Sequence, residues 1–163
     1  MSVSNSSTQS GFFLIEALLS ILIFSLGILG MVAINARAIE ARADAEYRTD
    51  AARFADDIVS QIALNVDRSS PANMQTSLAT FAHQPTNPDC GLNGSTLSSN
   101  VVVTTWLGRV TAATTGLPGA VSTGQQIVVA TAATDFNRVT VNLCWRAPSD
   151  TAVRRHTLIT YVN

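Results

Sequence analysis

The spacing of apolar residues changes along this chain, and those changes predict its elements and the surroundings each one needs. From Phe12 to Ile34, FFLIEALLSILIFSLGILGMVAI, the residues are apolar on every side and are broken only by Glu16, Ser20, Ser25, Gly27 and Gly30. A helix needs about 20 such residues to cross a bilayer. Beyond Asn35 the pattern becomes one-sided. Tyr47, Ala51, Phe54, Ala55, Ile58, Ile62 and Val66 fall at three- and four-residue steps, which predicts a single apolar stripe on a helix. No Pro or Gly occurs between Asn35 and Val66. One helix from Phe12 to about Val66 is therefore expected, apolar all round in its first half and amphipathic in its second. Asp44 with Arg48, Asp50 with Arg53, and Arg53 with Asp57 sit at helical spacing and mark its wet face.

The stretch DRSSP, Asp67 to Pro71, is expected to close that helix, and a loop region including HQPTNPDCGLNGS to run to about Asn100. Val103, Trp106, Leu107, Val110, Ala113 and Leu117 return to helical spacing, with Ser98 to Asn100 as N-cap candidates and LPG at 117–119 as the break. A strand over Val101 to Leu107 is the competing reading. The last third is rich in β-branched residues: QQIVVATA, RVTVNLCW and HTLITYV, separated by TDFN and APSD. Val139, Val141, Leu143 and Trp145 alternate with polar neighbours, and the short connections predict an antiparallel meander on the Tyr47–Val66 stripe. The expected class is α+β.

Composition narrows the chemistry. Of 163 residues, 13% are charged, and the formal net charge is −1, so no basic footprint for nucleic acid exists. Cys90 and Cys144 both follow the apolar segment. An even pair after a membrane-targeting segment reads as one disulfide in an oxidising compartment; two separately buried thiols are the alternative. His83 and His156 lack metal-ligand spacing, and no GxSxG elbow, phosphate loop or HExxH is present. No catalytic residue, cofactor or metal site is expected. Arg146, Arg154 and Arg155 read as charges that keep a strand edge soluble, in preference to a contact for DNA phosphates. Trp106 and Trp145 read as core anchors.

Glu16 is the anomaly. A charge at the centre of a bilayer costs about 2.5–3.5 kcal/mol, so such residues are rare unless paired. Gly11 followed by FFLIE at the mouth of an apolar helix resembles the prepilin processing motif. The stretch LGILGMVAINARAIEARADAEYRTDAARFADDIVSQI, with CWR at 144–146, is similar to minor pilins of the type IV pilus modification (PilV) group.

That resemblance implies a type IV pilin-like fold and four segments: a leader over 1–11, a transmembrane and assembly helix over 12–34, its amphipathic continuation over 35–66, and a periplasmic head over 67–163. It implies cleavage between Gly11 and Phe12 by a prepilin peptidase, methylation of the Phe12 amine, and pairing of Glu16 with that amine during assembly. The implied partners are the peptidase, other minor and major pilins, the inner-membrane assembly machinery and a tip adhesin. The implied location is the inner membrane before assembly and the pilus afterwards. Two features depart from the pattern. The leader MSVSNSSTQS carries no Lys or Arg, while Arg37 and Arg42 follow the helix, which by charge alone favours the opposite orientation. The ARA triplets at 36–38 and 41–43 also fit signal-peptidase sites. A type II secretion pseudopilin, an uncleaved periplasmic sensor or binding protein with one membrane helix, and a secreted protein stay open.

Overall fold

In the computed structural model, residues 10–132 and 134–163 are described. The expected leader, up to residue 9, lies outside them. The described residues fall into two compact units, one ending at Ala43 and one spanning Asp44 to Asn163. Helix α1, Ser10–Asn65, supplies all of the first unit's described residues and opens the second. The second unit continues with α2 (Pro71–Ala79), a 3-10 turn (Pro88–Cys90), α3 (Val101–Val110) and a second 3-10 turn (Ser122–Gly124). It closes with β1 (Gln125–Ala130), β2 (Arg138–Trp145) and β3 (Arg154–Tyr161). The strands form an antiparallel sheet in the order β1-β2-β3, as the alternating pattern predicts. The architecture is α+β.

Packing in the second unit follows the stripe. Ala51, Ala55, Ile58 and Ile62 are completely buried, in one cluster with Val103, Trp106 and Val110 of α3 and with Ile127, Val139, Val141 and Leu143 of the sheet. Each large aliphatic chain removed from water contributes about 1.5–3 kcal/mol. Trp106 is an anchor in the literal sense: its indole N–H donates to the Phe54 carbonyl of α1 at 2.9 Å, so the ring is buried without an orphan donor.

Three expectations need correction. The region after DRSSP is not all loop, because Ser70 caps α2 by accepting from the Asn73 N–H at 3.1 Å and Pro71 opens the helix. A proline whose missing N–H would be unpaired anyway starts a helix as readily as it ends one. Helix α3 stops at Val110 instead of continuing to LPG. The chain turns there, the Leu117 N–H donates to the Val110 carbonyl at 2.9 Å, and Leu117 reaches the core from a turn while Ala113 stays exposed. Asn100 is the N-cap, accepting from the Val102 N–H. Finally, Asp57 pairs with Arg109 of α3, not with Arg53; the Asp44–Arg48 and Asp50–Arg53 pairs form as expected.

The two sheet edges differ. Outside β1, His83 exchanges both backbone hydrogen bonds with Ile127, at 2.9 and 2.7 Å. Outside β3, no further strand pairs among the described residues.

Candidate functional site

Two places hold the residues singled out by the sequence. The first is α1 within the first unit. Ser10 and Gly11 are already helical, and every side chain from Phe12 to Ile34 is exposed. The helix is long and apolar enough to cross a membrane. Its hydroxyls are satisfied internally: Ser20 donates to the Glu16 carbonyl at 2.8 Å and Ser25 to the Ile21 carbonyl at 2.7 Å. That leaves the Glu16 carboxylate as the one charged side chain between Phe12 and Ile34. It sits four residues, about 6 Å of helical rise, beyond Phe12.

The second place is the cysteine pair. Cys90 ends the 3-10 turn, where its N–H faces the Asn87 side chain at 3.3 Å and the chain reverses through Gly91 at φ 64°. Such a left-handed cap suits glycine, which has no Cβ to clash. Cys144 lies near the end of β2, one residue beyond the last β1 partner, Leu143. There the buried Gln125 side chain stands in for a strand. Its Nε2 donates to the Cys144 carbonyl at 2.9 Å, and its Oε1 accepts from the Cys144 N–H at 3.3 Å. The two cysteines approach to 2.6 Å, longer than an S–S bond, so the expected disulfide is approached but not formed in this structure. Burial, then the neighbouring Cys90, pushes the Cys144 thiol pKa up, while the Arg155 cation opposes the shift.

The pair forms a small apolar cluster with Leu92 and Val153, separate from the main core. Both cysteines line an open cavity of about 500 Å³. Pro118, Val121, Ala147, Pro148 and Val153 supply its apolar walls, and the exposed Asp89 and Arg146, 3.8 Å apart, share the lining.

The three C-terminal arginines do not act as one face. Arg146 approaches Asp89; Arg155 donates to the Cys90 carbonyl at 3.4 Å; Arg154 grips Asp150 through two hydrogen bonds, at 2.5 and 3.0 Å, and also pairs with Asp44 of α1. Arg154 holds the Asp150 carboxyl below the usual carboxylate range, and Asp150 raises Arg154 in return. This clasp ties the strand to α1.

His83 is buried, with Nδ1 accepting from the Ser98 N–H at 3.2 Å. Burial lowers its pKa and the Ser122 backbone opposes that shift. His156 is half-buried on β3. Trp145 is buried as expected of an anchor, with its indole N–H unpaired. Among the described residues, no group of three His, Cys, Asp or Glu side chains is placed to hold a metal.

Sequence reading missed the Gln125 bracket, the Arg154 clasp and the Arg109–Asp57 pair. Asp150 and Arg154 stand four residues apart, a spacing that could have suggested their contact. The other two join residues 19 and 52 positions apart and leave no local signal. No family model matches the chain, and no curated protein or solved structure matches it.

Proposed function

We propose that this chain is a minor subunit of a type IV pilus, made as an inner-membrane prepilin and acting structurally in filament assembly. The observation that carries the reading is Glu16, a single carboxylate in an apolar helix whose other polar side chains bond to their own backbone. Cleavage between Gly11 and Phe12 by a prepilin peptidase frees an amine one helical turn before that carboxylate. In the water-poor interior of a filament the two charges attract far more strongly than in solvent. The carboxylate also favours the new N-terminal end of the helix, where backbone N–H groups carry partial positive charge. Phe12, once freed, is the residue methylated.

The apolar surface from Phe12 to Ile34 holds the subunit in the inner membrane before assembly and lies among other helices afterwards. The head, on the periplasmic side, carries the Cys90–Cys144 pair as a disulfide when mature. With other minor and major pilins and the inner-membrane assembly machinery, the subunit primes the filament at its tip and carries a tip adhesin. A type II secretion pseudopilin would share the cleavage motif and the helix; LGILGM and CWR at 144–146 favour the pilus.

Mass spectrometry of the chain purified from cells tests the reading. The expected species begins at methylated Phe12. A chain that retains residues 1–11 overturns it, because the amine that Glu16 requires would not exist.

A further inference from the structure

The outer edge of β3 offers a row of backbone groups with no strand beside it. Its phase is fixed at the end of the ladder, where the Val162 N–H donates at 3.2 Å to the carbonyl of Asn137, directly opposite in the β2–β3 register. Bonded and non-bonded pairs alternate along an antiparallel ladder. Arg155, Thr157, Ile159 and Tyr161 therefore turn their N–H and C=O groups away from β2, and no strand takes them up among the described residues. The β1 edge differs, because Ile127 exchanges both of its outward hydrogen bonds with His83. The side chains of the same four β3 residues are exposed on one face, with Ile159 and Tyr161 each 55% open to solvent. Sheet edges are commonly blunted by proline, bulges or charge along their length. β3 pairs with β2 through eight consecutive residues, contains no Pro, and gathers its cationic residues at its first end.

At that end a cavity of about 370 Å³ is lined by Arg48, Trp145, Arg154, Arg155 and His156, with no carboxylate among them. Asp44 and Asp150 already answer Arg48 and Arg154. The surplus positive charge is that of Arg155, whose side chain approaches only the Cys90 carbonyl, at 3.4 Å. We propose that the β3 edge is a docking site for an extended segment of another protein, which adds as a fourth strand antiparallel to β3, with apolar side chains opposite Tyr161 and Ile159 and a carboxylate opposite Arg155. Main-chain hydrogen bonds to the four outward residues supply affinity, and the side chains at alternate positions supply selection. The antiparallel sense continues that of the sheet and gives the more stable ladder. Charge argues against a second copy of β3 as the occupant, since RRHTLITY holds no acid to offer Arg155. The inference stands on the sheet alone and is independent of the cleavage after Gly11.

The probe is a fluorescein-labelled, C-terminally amidated peptide, Val-Thr-Ile-Thr-Thr-Thr-Glu, titrated with the whole chain in detergent and followed by fluorescence anisotropy. Paired antiparallel, it sets Val against Tyr161, Ile against Ile159 and Glu against Arg155. Saturable binding tighter than about 1 mM is expected. Thr157→Pro removes an outward N–H while leaving the bonds to β2, a substitution that edge strands accept, and it should weaken binding at least about tenfold. Arg155→Glu should weaken it about fivefold and should restore binding of the same peptide ending in Arg. This charge exchange keeps the test decisive if the proline variant fails to fold. No saturable binding, binding unchanged by Thr157→Pro, or an Arg-ended peptide that binds the unsubstituted chain equally well would each overturn the site. Concentration-dependent dimerisation of the chain that Thr157→Pro abolishes would place a second copy at the edge and overturn the partner segment.

Discussion

Residues 12–34 and 47–66 belong to the same helix, yet their apolar side chains have opposite fates. Leu22 and Ile23 are more than half exposed, whereas Ile58 and Ile62 are completely covered by α3 and the sheet. Hydrophobicity alone does not separate them; periodicity does. A stripe finds its cover within the chain, while a surface apolar on all sides needs lipid or other helices. The first region therefore reports on environment and the second on folding.

The largest effect expected from breaking this division is at Glu16. Glu16→Ala should still be cleaved after Gly11, yet its recovery in sheared filaments should fall by at least about tenfold, equivalent to about 1.4 kcal/mol of lost docking. Normal incorporation would separate the carboxylate from assembly. The comparison sharpens with a matched pair of truncations. Ile58→Ala should destabilise the second unit by about 2–5 kcal/mol through the cavity it leaves. Leu22→Ala should leave thermal unfolding of that unit in detergent unchanged. Equal losses from both would show that residues 12–34 support the head's fold.

A smaller effect concerns acid. Asp150 has a folded pKa below its unfolded value of about 3.9, so its contribution is present above that pH and is lost as pH falls through the folded value. Asp67, lowered by bonds from Ser69, acts in the same direction. Unfolding measured from pH 5 downward should steepen below about pH 4, and Arg154→Gln should flatten that slope in part. An unaltered slope would mean the clasp does not couple to stability. Smallest of all, Arg109→Ala removes a partly exposed ion pair with Asp57. It should cost about 0–1 kcal/mol, shrinking further at high salt.

The sequence shows α1 and the meander clearly because each repeats one spacing over many residues. The Tyr47–Val66 stripe and the Val139–Trp145 alternation are both found in the core. The errors occur where one residue type serves two purposes. Pro71 both follows a helix and begins one, and Leu117 keeps helical phase while lying on a turn. At the candidate sites, Glu16 stands out because its neighbours are uniform. Sequence names the two cysteines but not the Gln125 side chain that brackets Cys144, since that contact forms only through the tertiary fold.

The inward-turned hydroxyls of Ser20 and Ser25 have a mechanical consequence. In the proposed filament, a neighbour sliding along this helix would meet no second catch, so a single tooth would decide how deep it seats. Relocating that tooth by one coil, with Glu16→Ala and Ser20→Glu together, should therefore offset adjoining subunits by about 6 Å along the shaft.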